Sequence, residues 1–345
     1  MKNFSCVCGN SLHFENTRCL NCSREVGYSP KLTQMLPVDS SWRYCSNAAE
    51  HQVCNWLVDA QDPVDRCWSC RLNQVIPNLS EVRNLTLWAR LESAKRRMLN
   101  TLYQLGLTPD TDPSQPNALA FRFMADSEDY SEGAVGSPVY TGHDRGVITI
   151  NLKEADAGAR ETMREAMNEP YRTLLGHFRH EIGHFFWDQL IRHSQWVNEF
   201  RALFGDERED YQGALSRHYE SADSDTWNQH FVSAYASAHP WEDWAETWAH
   251  YLHMFDGLET AHAQGFRLGE HTMESPMQTD ANGFNIGPWS PDYPEFENMV
   301  DDWQRLTVAL NAMNRSMGLS DAYPFALTQT VIEKLDFVHR VINDL

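Results

Sequence analysis

The chain has 345 residues, 42% hydrophobic and 22% charged, enough for a substantial core with a smaller module beside it. Its 48 Asp and Glu against 28 Lys and Arg give a formal net charge of −20, which repels phosphate backbones and argues against a nucleic-acid partner. No apolar run reaches transmembrane length, and the opening MKNFSCVCGNSLHFEN lacks the apolar stretch of a signal peptide, so a cytoplasmic protein without a membrane partner is expected.

All eight cysteines fall between residues 6 and 70. In a reducing compartment such clustering points to metal ligands before disulfides. Cys6, Cys8, Cys19 and Cys22 form one group, and Cys45, Cys54, Cys67 and Cys70 a second. Each group ends in a C-x-x-C pair, which suits two structural zinc sites, each a tetrahedron of four thiolates. Gly9 fits the tight turn of a two-thiolate knuckle, although Cys6-x-Cys8 is one residue shorter than the usual C-x-x-C. His51 is an alternative ligand for the second site, and the spacing also permits crossed pairing between the groups. Metal binding would fold segments too short for a core of their own. Residues 1–78 are therefore expected to be a zinc-stabilised region with a structural role or a protein-docking role.

Residues 80–104 show helical spacing through Val82, Leu85, Leu87, Leu91, Met98, Leu99 and Leu102, with Ser80 as the expected N-cap. The basic run Arg83, Arg90, Lys95, Arg96 and Arg97 reads as a solvated face of this helix. Residues 79–110 are taken as a linker helix, ending in the loop GLTPDTDPSQPN. ALAFRFMAD (118–126) alternates like a strand, and GVITINL (146–152) is β-branched and strand-like, with a Gly/Ser/Asp-rich turn region between them.

The next helix is LLGHFRHEIGHFFWDQLI, residues 174–191. Leu174, Phe178, Ile182 and Phe185 recur at helical spacing, so the helix is expected to be buried. It contains H-E-x-x-H. His180 and His184, four residues apart, share one face and can bind one zinc ion. Glu181 stands about 100° round from His180, within reach of a water at the metal but poorly placed as a ligand. That suits a general base that takes a proton from the attacking water and gives it to the leaving amine. Gly183 permits close packing beside the metal. His177 and His193 read as surface or supporting groups. Two strands followed by this helix is the order of a zincin-type catalytic domain, where an edge strand pairs with extended substrate. GVITINL is the strand expected at that edge.

A five-residue motif needs a third ligand, and SAYASAHPWEDWAETWAHYLHMF (233–255) offers one. Pro240 suits a first helical turn. Glu242 and Glu246 share a face, while Asp243 points elsewhere. One carboxylate can bind zinc while the other accepts a hydrogen bond from a ligand histidine. Trp241, Trp244, Trp248 and Leu252 imply that the helix is buried, and buried carboxylates require a partner or a metal. His250 and His253 read as packing or supporting groups. Further helices are expected at about 295–316 and 324–343, preceded by the irregular loop ESPMQTDANGFNIGPWSPDYP.

H-E-x-x-H followed by E-x-x-A-E resembles the gluzincin arrangement, and most closely its lethal-factor-like subgroup. That resemblance implies Glu242 as the zinc ligand, Glu246 as the carboxylate behind a ligand histidine, and Tyr235, seven residues before Glu242, as the oxyanion-stabilising phenol. The step from His184 to Glu242 is long, so an insertion is expected within 193–232. The whole chain is also similar to bacterial zinc-binding metallopeptidases with an N-terminal zinc ribbon. The likeness runs through FSCVCGNSLHFEN, CNWLV, CRLNQVIPNLS, FRHEIGHFFW, HPWEDWAETWAHYLH and VIEKLDFVH.

The expected fold class is α+β: a mostly helical zincin-like domain at 111–345 with a small antiparallel sheet, preceded by the cysteine-rich module. The expected function is a zinc metallopeptidase acting on a peptide or protein substrate, with one catalytic and two structural zinc ions. A non-catalytic zinc-stabilised adaptor and a metal-dependent amidase or isopeptidase are the alternatives. Glu181 argues against the adaptor, because a site that only binds has no need of that group.

Overall fold

The computed structural model describes residues 2–109, 111–112, 114–126, 139–166, 173–220, 227–268, 271–272, 293 and 295–345. It is α+β, about half helical with small sheets and an N-terminal cysteine-rich region. Two compact units divide the chain: residues 1–104 with 108–163, and residues 105–107 with 164–345. Among the described residues no helix is long and apolar enough to cross a membrane.

The first unit begins as a series of antiparallel hairpins. These pair β1 (Phe4–Ser5) with β2 (Ser11–Leu12), β3 (Val26–Ser29) with β4 (Gln34–Pro37), and β5 (Trp42–Tyr44) with β6 (Leu57–Asp59). The short helices α1 (Ser46–His51) and α2 (Trp68–Arg71) flank β6 in sequence. Such small hairpins bury little by themselves. Their apolar centre is an aromatic cluster, with Tyr28 against Phe14 at 4.6 Å and against Trp56 at 5.5 Å between ring centroids. β7 (Asn73–Val75) leads to the long helix α3 (Val82–Gln104), and the Tyr28 hydroxyl donates to Asn100 Oδ1 at 2.6 Å, tying hairpin to helix.

Helix α3 starts at Val82, and Ser80 does not cap it: its N–H and hydroxyl both donate to Asn78 Oδ1. The basic run is not a uniformly solvated face. Lys95 is fully buried and ion-paired with Glu92 at 3.0 Å, and Arg96 is buried and donates to the Val53 carbonyl at 2.6 Å. Only part of the run meets the expectation, as with the largely exposed Arg83. Charge pattern alone does not tell which cations face internal partners.

β8 (Ala120–Met124), β9 (Gly142–Asp144) and β10 (Val147–Asn151) join β7 in one sheet, in the order β7-β8-β10-β9. The small sheet expected to be antiparallel in the domain at 111–345 is mixed: β8 runs parallel to both β7 and β10, and only β9 pairs antiparallel with β10. GVITINL is not the edge strand: β10 is paired on one side with β8 and on the other with β9, which takes the edge. Its β-branched, two-sided apolar pattern fits that interior position. The Gly/Ser/Asp-rich turn region lies largely outside the described residues. Helix α4 (Ala157–Ala166) spans the division between the units.

The second unit is helical: α5 (Leu174–Leu190), α6 (Val197–Phe204), α7 (Tyr211–Glu220), α8 (Pro240–Ala263), α9 (Phe296–Ser316) and α10 (Gln329–Asn343). Thr173 caps α5, its hydroxyl accepting from Gly176 N at 2.9 Å. Pro240 opens α8 behind His239, whose Nδ1 accepts from Trp241 N at 3.1 Å. Phe178, Ile182 and Phe185 of α5 and Trp244, Trp248 and Leu252 of α8 are all fully buried. Burying such a side chain contributes on the order of 1.5–3 kcal/mol. α5 and α8 approach closely at Gly183: a Cβ there would stand 3.1 Å from Ala245 Cα and 3.2 Å from Trp248 Cβ. This close approach sets the spacing of the two helices that carry the candidate site. The loop ESPMQTDANGFNIGPWSPDYP lies, apart from Tyr293, outside the described residues.

Candidate metal centres

Each cysteine group closes on itself. In the first, Cys6 Sγ lies 3.7 Å from Cys22 Sγ and Cys8 Sγ lies 3.6 Å from Cys19 Sγ. In the second, Cys54 Sγ and Cys67 Sγ are 3.7 Å apart, and Cys45 and Cys70 complete the group. A disulfide would need sulfurs about 2.05 Å apart. Thiolates about 2.3 Å from a tetrahedral zinc ion stand about 3.8 Å from one another, so these separations fit zinc held by four thiolates. The pairing is uncrossed, and His51 is in neither group; it sits beside Glu50 and the Trp88 ring. Gly9, at φ +82°, gives the short Cys6-x-Cys8 knuckle its left-handed turn, closed by Gly9 N donating to the Cys6 carbonyl at 2.8 Å. The two groups differ in exposure: Cys8 and Cys22 are exposed, while all four cysteines of the second group are buried. Burial opposes the charge on Arg96, and Cys54 and then Glu92, with Cys70 and Cys67 of the second group, outweigh it and raise its pKa.

The third cluster joins α5 to α8. His180 Nε2 is 3.0 Å from Glu242 Oε2 and 3.2 Å from His184 Nε2, and His184 Nε2 is 3.4 Å from Glu242 Oε2. Ligands about 2.0–2.1 Å from a tetrahedral zinc ion stand about 3.3 Å apart, so the three donor atoms have the spacing of a single-ion site. All three residues are buried. Two imidazole nitrogens and one carboxylate oxygen are the donor set of many catalytic zinc sites.

The surroundings fix these groups. His180 Nδ1 donates to Glu246 Oε1 at 2.6 Å, which leaves Nε2 as the nitrogen facing Glu242. Glu246 Oε2 in turn accepts from the Ser233 hydroxyl at 2.7 Å. Burial opposes the charge on His180, but Glu242 and then Glu246 outweigh it and hold the imidazole well above its ordinary range. Burial likewise opposes the charge on Glu242, and His184 and His180 overcome it, holding the carboxyl well below the ordinary range. Such a set of coupled groups is poised to exchange protons for a cation.

Glu181 is buried beside the cluster, with Oε1 3.7 Å from His177 Nε2 and no hydrogen-bond partner for Oε2 among the described residues. Tyr235 packs its ring 5.8 Å from that of His180. Burial, then Glu242 and Tyr211, hold its phenol far above the ordinary range, so it remains a proton donor. Asp243 points away, as expected from its place on the helix, and pairs with Lys334 of α10 at 2.6 Å. His250 bonds Tyr323 through Nδ1 at 2.8 Å, and His193 is exposed.

The sequence reading missed Tyr211 and Ser233, and took Trp241 only as a sign of a buried helix. Tyr211 donates to Glu242 Oε1 at 2.6 Å, and the Trp241 ring lies 4.0 Å from that of His184. No periodicity marks the first two. Tyr211 lies in the segment expected only as an insertion, and Ser233 precedes any helical pattern.

A family model described as "Putative zinc-binding metallo-peptidase" matches residues 84–341, and a zinc-ribbon domain model matches residues 3–81. The chain is similar to the uncharacterized protein Mb2598c of Mycobacterium bovis and to the uncharacterized proteins MT2644 and Rv2568c of Mycobacterium tuberculosis. With each it is 40% identical over 352 residues, covering 100% of this chain and 96% of the relative. No solved structure matches the chain.

Proposed function

The chain belongs to the zinc-binding metallo-peptidase family, and on that premise we propose that it is a zinc-dependent peptidase of the gluzincin type. The observation that carries this reading is the buried trio His180, His184 and Glu242, with donor atoms 3.0 to 3.4 Å apart and Glu181 beside it. These three residues hold the catalytic ion. When bound, zinc supplies a Lewis acid that polarises the scissile carbonyl and acidifies a water molecule. Glu181 takes a proton from the attacking water as the new C–O bond forms, then gives it to the amine as the C–N bond breaks. Tyr235 donates a hydrogen bond to the carbonyl oxygen as it gains negative charge. Glu246 keeps the proton of His180 on Nδ1, so that Nε2 stays available.

The cysteine groups hold two structural zinc ions in this reading, and the functional division follows the sequence: a zinc-ribbon region at 1–78, a linker helix at 79–110 and a catalytic domain at 111–345. The grouped free thiols support a reducing, cytoplasmic setting. The substrate is a peptide or protein.

Zinc per chain, measured by elemental analysis, tests the reading. One ion per donor group gives about three in the wild type and about two in His184→Ala. Glu181→Gln is expected to keep the third ion and lose peptide hydrolysis. If wild type and His184→Ala hold the same two, the peptidase reading fails and a zinc-stabilised adaptor replaces it.

A further inference from the structure

We propose that Tyr211 is a positioning residue that makes Glu242 a one-oxygen ligand, an inference that rests on the zinc-site reading above. A carboxylate has two oxygens, and a free one can turn to offer either or both to a cation. In this protein the two oxygens of Glu242 have separate tasks. Oε1 accepts the Tyr211 hydroxyl at 2.6 Å. Oε2 faces His180 Nε2 at 3.0 Å and His184 Nε2 at 3.4 Å. The phenol thus occupies one oxygen and turns the other toward the two nitrogens. Glu242 is buried, so water is poorly placed to substitute for the phenol.

The phenol is itself held. Tyr211 is the first residue of α7, and its ring meets the His239 ring edge-on at 5.2 Å and the Trp241 ring at 6.0 Å. His239 binds the start of α8 through Nδ1, which accepts from Trp241 N at 3.1 Å, and its Nε2 lies 3.3 Å from the Glu209 carbonyl, two residues before Tyr211. One imidazole therefore joins the entry to α7 with the entry to α8, one turn from the ligand. The segment between His184 and Glu242 is then part of the metal site, since it delivers the group that orients the carboxylate. A packing role alone would need the aromatic ring, not the hydroxyl aimed at Oε1.

The test is a zinc competition titration on the full chain, with both cysteine groups loaded and only the third site emptied, against a chromophoric chelator, for wild type, Tyr211→Phe, Glu242→Gln and the double variant. Phenylalanine keeps the ring against His239 and Trp241 and removes only the donor. Partners that orient a metal ligand typically contribute 10–100-fold in affinity, so Tyr211→Phe is expected to raise the Kd of the catalytic site by about 10-fold or more. Because Tyr211 acts through Glu242, the double variant is expected to bind as Glu242→Gln does alone. An unchanged Kd in Tyr211→Phe overturns the proposal, as does a double variant weaker by the product of the two single effects. The melting temperature of each apo protein identifies a variant that fails to fold; the hydroxyl is then tested with Tyr211→His, which keeps a ring donor and is expected to retain more affinity than Tyr211→Leu. Equal affinities for those two also overturn it. Failure of the underlying reading looks different: wild type and His184→Ala would then give the same titration.

Discussion

Lys334 offers the sharpest test of how α8 is held. Its ammonium sits 2.6 Å from Asp243 Oδ2 and 2.8 Å from the His230 carbonyl, over the Phe231 ring at 4.4 Å from the centroid. The two side chains are 4% and 0% exposed. Lys334→Met keeps most of the apolar stem and removes the charge, leaving Asp243 buried without its cation. Removing one partner of a buried pair costs about 3–5 kcal/mol. For a unit of 150–250 residues each kcal/mol is worth about 2–4 °C, so the helical unit is expected to melt roughly 6–20 °C lower. The loss depends on pH with a definite sign. Burial already pushes the Asp243 carboxyl up to about 7, against the pull of Lys334. A carboxyl with a higher pKa folded than unfolded binds more protons when folded, so its contribution to stability falls as pH rises from the unfolded pKa through the folded one. Without Lys334 the folded pKa rises further, so the deficit of Lys334→Met is expected to be larger at pH 8 than at pH 5. Asp243→Asn in the same chain removes the stranded charge and is expected to restore much of the loss. Calorimetry on the two variants checks this. A fall of less than about 2 °C, or a double variant no better than the single one, would refute the reasoning.

Gly183→Ala adds a methyl 3.1 Å from Ala245 Cα; about 1 kcal/mol of helix propensity opposes an overpacking cost of about 1–3 kcal/mol. We expect a net loss of up to about 2 kcal/mol, read in a denaturant melt, together with weaker catalytic zinc; a variant more stable than wild type contradicts the close crossing. Glu242→Ala is expected to weaken catalytic zinc more than Glu246→Ala in a chelator titration, and the reverse order would put the ligand one helical turn further along. The first cysteine group, with Cys8 and Cys22 exposed, is expected to yield its zinc to a chromophoric chelator faster than the fully buried second group. Cys22→Ser should abolish that fast phase, and a single-phase release in wild type speaks against the difference.

Where the sequence was legible, the reason is local. Spacing of four residues determines which side chains share a helical face, so His180 with His184, and Glu242 with Glu246, could be paired before any fold was known. Thiol spacing worked in the same way for the two cysteine groups. Strand placement did not, because β-branched residues in GVITINL say that a segment is buried on both sides without naming its neighbours. The same limit applied to Lys95. Its position in a basic run suggested solvent, and Glu92 on the preceding turn together with Asn73 of β7 took it inside instead.

The parts of the site that spacing could not reveal arrive from far along the chain. Tyr211 meets Glu242 from 31 positions away, Ser233 meets Glu246 from 13, and Lys334 meets Asp243 from 91. All three act on one turn and a half of α8, and each addresses a different carboxylate. That turn carries three acidic side chains in five residues, which in water would repel one another. Here each is answered: Glu242 by the cluster nitrogens and a phenol, Asp243 by an ammonium, and Glu246 by a hydroxyl and by His180, which it shares with Glu242. The helix can keep these carboxylates out of full solvent contact only while the partners stay assigned. Loss of one partner is therefore expected to act on the candidate site through the orientation of α8 as well as through its own contact. For this reason the tests above pair removal of a partner with removal of the carboxylate it serves: only the double variant separates a broken contact from a stranded charge.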